Sequence, residues 1–145
     1  MTPSIPPTRA PTASELLNDP AVQAALDQAW IDSQPGDPVQ RHEEGGWIYL
    51  NLTTGQMTMQ RAAQGLTDEI DLSNPPVVMG AVVVGIFHTH PNPIAEGWYP
   101  GPSPDDRYLD ALVGVPDLIR AEDRVHLSGP DSRRGGLAGG PGFPP

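Results

Sequence analysis

The residues able to do chemistry fall in three short clusters. His88-Thr89-His90-Pro91 ends an apolar run, Ser103-Pro104-Asp105-Asp106 follows a polar loop, and Arg41-His42-Glu43-Glu44-Gly45-Gly46 lies upstream of both. In an extended chain residues i and i+2 face the same side. The imidazoles of His88 and His90 then project together from Cα atoms about 6–7 Å apart, a workable span for two ligands on one metal ion. Alone, the pair also reads as two solvated histidines at a strand end. Asp106, one turn into a helix opened by Ser103, offers a third ligand. The same four residues fit an ordinary helix start as well, with Ser103 at N-cap, Pro104 at N1 and acidic groups near the positive end of the dipole. The two readings are compatible. Three protein ligands and one open position are the pattern of a catalytic rather than a structural zinc site. A general base is then required. Glu43 or Glu44 can accept a proton from water and return it to a leaving amine; the alternative for each is a solvated loop charge.

The composition narrows what such a site can be. The chain has 145 residues, no cysteine and a formal charge of −10. Disulfides, thiol catalysis and every Cys-ligated metal site are excluded, so any metal is held by His and carboxylates. With no basic stripe, nucleic acid and anionic membrane surfaces are not expected partners. No apolar run is long enough to span a bilayer and the first residues lack a secretory pattern, so a cytoplasmic protein is expected.

The positioning elements follow from local patterns. Asp19-Pro20 caps a helix whose Val22, Ala25, Leu26, Ala29 and Trp30 share one face, running to about Ser33. Residues 47–52 and 57–60 flank Thr53-Thr54-Gly55-Gln56 as a β-hairpin. Val77–Phe87 is apolar nearly throughout and reads as a central strand covered on both faces. A helix near Pro104–Leu112 and short strands around residues 118–120 and 125–127 complete an α/β or α+β domain with helices against a mixed sheet. With 16 Gly and 19 Pro concentrated toward the ends, residues 1–13 read as a flexible lead, 14–129 as the domain and 130–145 as a disordered tail. His42 and His126 read as structural or solvated.

Glu43-x-Gly45-Gly46, then His88-Thr89-His90-Pro91, then Ser103-x-x-Asp106, resembles the signature of the JAMM metalloproteases, the MPN or Jab-domain family, in a prokaryotic form. The match spans residues 43–106. One departure is the stretch of eleven residues between Pro91 and Ser103, longer than is common, which carries Glu96, Trp98 and Tyr99. The resemblance implies a cytidine-deaminase-like fold and zinc-dependent hydrolysis of an amide or isopeptide bond. The bond often follows the Gly-Gly terminus of a ubiquitin-like or sulfur-carrier protein. It implies His88, His90 and Asp106 as ligands of Zn2+, Glu43 as general acid/base and Ser103 as a stabiliser of the oxyanion, with Glu44 as the competing base. Trp98 and Tyr99 are expected to wall the substrate passage. Two alternatives stand beside this reading: a noncatalytic scaffold of the same fold, and a zinc hydrolase of small amino-acid or cell-wall-type peptide conjugates. The oligomeric state is open.

Overall fold

A computed structural model of the chain describes residues 5–138 and 142–143. Helix α1 (Ala13–Asn18) opens on Thr12, whose hydroxyl accepts from Glu15 N–H while the Glu15 carboxylate accepts from Thr12 N–H. Helix α2 (Pro20–Asp32) follows at once, with the Asp19 carboxylate capping Ala21 and Val22 and proline at the first helical position. Its buried stripe is Val22, Leu26 and Ala29. Trp30 is half-buried and stacks under the Arg120 guanidinium, 4.5 Å from the ring centroid.

Strands β1 (Gly45–Asn51) and β2 (Met57–Arg61) form the expected hairpin, in register from Gly46↔Arg61 to Leu50↔Met57. Strand β3 (Ala81–Thr89) is buried along its whole length. After it come a 3-10 turn (Ile94–Glu96), helix α3 (Pro104–Val113) and strands β4 (Asp117–Arg120) and β5 (Val125–Ser128). The sheet order is β2-β1-β3-β4-β5. Among the described residues only the β3–β4 pair, joined through α3, is parallel. This mixed sheet between helices agrees with the α/β class expected, and β3 holds its centre.

Each face of the sheet has its own apolar cluster. Leu16, Val22, Leu26 and Ala29 pack on Ile48, Leu50, Val82, Val84 and Phe87, while Leu72, Val113 and Val115 pack on Trp47, Tyr49, Val83 and Ile86. Burying each large side chain contributes about 1.5–3 kcal/mol. The β1–β3 register shifts between Ile48 and Tyr49, with Ile48 opposite Gly85 and Tyr49 opposite Val83. The bulge places Phe87 and Thr89 toward α2, and His88 toward α3.

Two boundaries differ from expectation. Val77–Gly80 lies outside β3, with Val77 and Met79 exposed and Gly80 turning at φ 76°. An unbroken apolar run carries no internal mark of where pairing begins, and here the left-handed glycine sets it. The ends also differ. Ala10 and Ala13 are buried, Thr12 bridges Ser132, and Ala13 N–H donates to Asp131 O. Arg133 is only 2% exposed. Its guanidinium donates to the carbonyls of Val83, Gly136, Ala138 and Gly142, pinning residues 131–138 to the sheet. The lead from Ala10 onward and the tail around Arg133 are therefore anchored to the domain, because one buried cation gathers carbonyls that a Gly-rich segment leaves free, while Ile5 stays exposed. Residues 1–4, 139–141 and 144–145 of those two stretches lie outside the described residues. Among the described residues no helix is long and apolar enough to cross a membrane.

Candidate metal centre

Two glycines bring the Arg41–Gly46 cluster to the His88–Pro91 cluster. A Cβ at Gly45 would meet Phe87 O at 2.3 Å, and one at Gly46 would meet Gln60 O at 1.9 Å. Only glycine lets β1 run this close to β3 on one side and β2 on the other, with Gly45 directly opposite His88. Glu43, two residues earlier, is fixed at both backbone groups: its N–H donates to Leu66 O (2.8 Å) and its O accepts from Gly65 N–H (2.9 Å). Its carboxylate is buried beside the histidines. One ligand atom each from Glu43, His88 and His90 lie within 4.8 Å of one another, a group able to hold a metal ion.

Asp106 closes the other side. Ser103 Oγ accepts from Asp106 N–H (3.1 Å) and Asp106 Oδ2 accepts from Ser103 N–H (2.9 Å), so the capping box orients the carboxylate. That carboxylate reaches both rings, Oδ1 at 3.2 Å from His88 Nε2 and Oδ2 at 3.1 Å from His90 Nε2. Ligands at about 2.0–2.1 Å from one zinc in a tetrahedron stand about 3.3–3.4 Å apart, so these separations fit a shared ion. Despite its 3.2 Å neighbour, His88 Nε2 is buried and has no aligned hydrogen-bond partner among the described residues. A cation on its lone pair would remove that deficit.

The outer groups set the rings. Pro100 O stands 3.2 Å from His90 Nδ1 and can only accept, so Nδ1 donates and Nε2 keeps its lone pair toward Asp106. Behind His88, Asp117 Oδ1 lies 3.1 Å from Nδ1. Asp117 is followed inward by Asp110, whose Oδ2 accepts from Ser128 Oγ. Asp110 and Asp117 were not legible as site residues. They lie in different elements, and no short-range pattern joins them to His88.

Electrostatics separate the carboxyls. Burial pushes Glu43 up to about 8, with Asp106, Asp68 and Asp117 adding to it and His88 opposing. Burial likewise raises Asp106, but the histidines and Ser103 N–H outweigh it and hold Asp106 well below the usual carboxylate range. Burial lowers His88, yet Asp117 and Asp106 together lift it well above 6.5. Burial, then Asp117, pushes Asp110 up to about 8.

Folded Glu43 and Asp110 thus keep protons that the unfolded chain releases near 4.5 and 3.8. Stability is greatest at the acid end of that interval and is lost as pH rises toward 8; His88, raised, acts with the same sign above 6.5. Asp106, lowered, is felt only in acid, where its contribution is lost as pH falls below 3.8. Metal-free protein should accordingly melt at a lower temperature near pH 8.5 than near pH 5.5. A melting temperature that is flat or rising across that range contradicts these assignments.

Glu44 faces elsewhere. Its Oε1 accepts from Arg61 (2.7 Å), its Oε2 lies 2.5 Å from His42 Nε2, and Arg61 continues to Asp32. His126 pairs with Asp123 at 2.9 Å. Glu43, His90, Trp98, Tyr99 and Ser103, together with Asp68, line one cavity of about 190 Å³, with Trp98 and Tyr99 exposed at its rim. The loop carrying them is tethered by Arg41–Glu96 (3.1 Å) and by Ile94 N–H to Glu122 (2.8 Å).

No protein-family model matches this sequence, and no curated protein or solved structure matches it either.

Proposed function

We propose that the protein is a zinc-dependent peptidase of the JAMM type, a hydrolase that cuts an amide bond after a Gly-Gly-type tail of a ubiquitin-like or sulfur-carrier protein. The observation that carries this reading is the convergence of Glu43, His88 and His90 within 4.8 Å, with Asp106 between the two rings. His88, His90 and Asp106 would hold the ion. When bound, zinc makes water acidic near neutral pH and polarises the substrate carbonyl. Glu43 would act as base in its ionised form, which a bound dication beside it would favour over the protonated form. Glu43 Oε accepts the proton of the attacking water and delivers it to the leaving nitrogen as the C–N bond breaks. Ser103 Oγ is occupied as an acceptor by Asp106 N–H, so its own O–H remains to donate to the carbonyl oxygen. Trp98 and Tyr99 confine the approach at the rim of the same cavity.

A tail of glycines lies extended where a side chain beside the scissile carbonyl would collide. The test uses two fluorogenic peptides, one ending Arg-Gly-Gly and one ending Arg-Ala-Val before the reporter amide. With zinc loaded, the first should be cleaved at least about tenfold faster. Equal cleavage of both, or of neither, contradicts the Gly-Gly reading.

A further inference from the structure

Thr89, between the two histidines, points away from them toward α2 and is fully buried, as is Ser33 at the end of that helix. Its Oγ1 accepts from Glu44 N–H (3.0 Å), and its own N–H donates to Glu44 O (2.9 Å). The Thr89 and Ser33 hydroxyls are 2.5 Å apart. Ser33 Oγ–H is committed to Ala29 O (2.8 Å), so the proton between the hydroxyls belongs to Thr89. The bonds run in one direction, from Glu44 N–H to Thr89, from Thr89 to Ser33 and from Ser33 to the last turn of α2. Ser33 O also accepts from His42 N–H (3.0 Å), so the helix end holds the chain on both sides of Glu43.

We propose that Thr89, backed by Ser33, is a positioning residue that clamps the Glu43–Glu44 peptide in register with His88 and His90. The end of β3, which carries His88 and leads directly into His90, presents on its opposite face the hydroxyl that fixes the base. Displacement of β1 relative to β3 would move Glu43 without moving either histidine. Each hydroxyl in the chain accepts once and donates once, which leaves Thr89 no freedom to rotate. This role rests on the hydrolase reading for its catalytic consequence, while the clamp itself is a property of the backbone.

The test compares full-length wild type, Thr89→Val, Thr89→Ser and Ser33→Ala. Hydrogen exchange at the Glu44 amide is read in metal-free protein, and zinc content, kcat and KM in zinc-loaded protein with the Arg-Gly-Gly peptide. Exchange at Glu44 should quicken at least about fivefold in Thr89→Val and Ser33→Ala. In Thr89→Val zinc content and KM should hold while kcat falls about 10- to 100-fold, since misplacing a base by a fraction of an ångström to 1 Å is felt in turnover. Thr89→Ser, which keeps the hydroxyl, should return kcat to within about threefold. Unchanged Glu44 exchange in both hydroxyl-less variants, or wild-type kcat in Thr89→Val, overturns the clamp. Should Thr89→Val fail to fold, Ser33→Ala decides by the same readouts. A wild type that loads zinc and cleaves neither peptide overturns the hydrolase reading instead, and the exchange result then decides the clamp alone.

Discussion

Asp106→Ala should leave a folded protein that no longer retains zinc. The carboxylate lies 3.2 Å from His88 Nε2 and 3.1 Å from His90 Nε2, so in the proposed site it would supply both a ligand and the negative charge that two neutral imidazoles lack. Loss of a supporting outer partner alone weakens metal binding about 10- to 100-fold, and loss of a ligand should exceed that. The substitution also removes half of the α3 capping box, a cost of about 1 kcal/mol, which a melting curve separates from the metal effect. His88→Ala should lose zinc too, with a larger fall in stability, because Asp117 is then buried without the ring that faces it. Equilibrium dialysis with metal analysis is the check. Full occupancy in either variant removes that residue from the ligand set.

Glu43→Gln and Glu44→Gln should behave in opposite ways, although the residues are adjacent. Glu43 opens into the cavity shared with His90 and Ser103 and, among the described residues, forms no close ion pair with an arginine, so Gln there should keep zinc and lose about 10²- to 10⁴-fold in kcat. Glu44 is bound to Arg61 and His42. Gln at that position turns an amide N–H toward one of them, so the expected loss is about 1–3 kcal/mol of stability with kcat changed less than about tenfold. Steady-state kinetics beside thermal melts of both variants distinguish the two. The reverse pattern moves the base by one position.

What was legible in the sequence is what is local. Asp19-Pro20 and Ser103-Pro104 announce their helices because a cap and a proline at N1 act within one turn, and both lie where expected. The i, i+2 spacing of His88 and His90 survives because the β1–β3 bulge lies upstream of them. What was not legible depends on partners far along the chain. α1 has six residues, too few to show a period. Arg133 in a Gly-rich stretch looks like a solvated tail until the carbonyl of Val83, fifty residues away, is placed against it. Asp117 belongs to the site only through the parallel pairing of β4 with β3, and Thr89 acts through α2 on the opposite face. Spacing to Gly46 favours Glu43 over Glu44 through the resemblance, but shows nothing of what each side chain faces. What separates them is the alternation of sides at the start of β1, with Arg61 and His42 waiting on one side and the histidine pair on the other.

The most direct test of the metal centre is a crystal of zinc-loaded protein measured at the zinc absorption edge. A single anomalous peak per chain is expected, about 2.0–2.2 Å from His88 Nε2, His90 Nε2 and an Asp106 oxygen, with Glu43 beside it. A fully loaded chain whose peak lies elsewhere, for example at His126 and Asp123, would contradict it, as would a peak that persists at this position after Asp106→Ala.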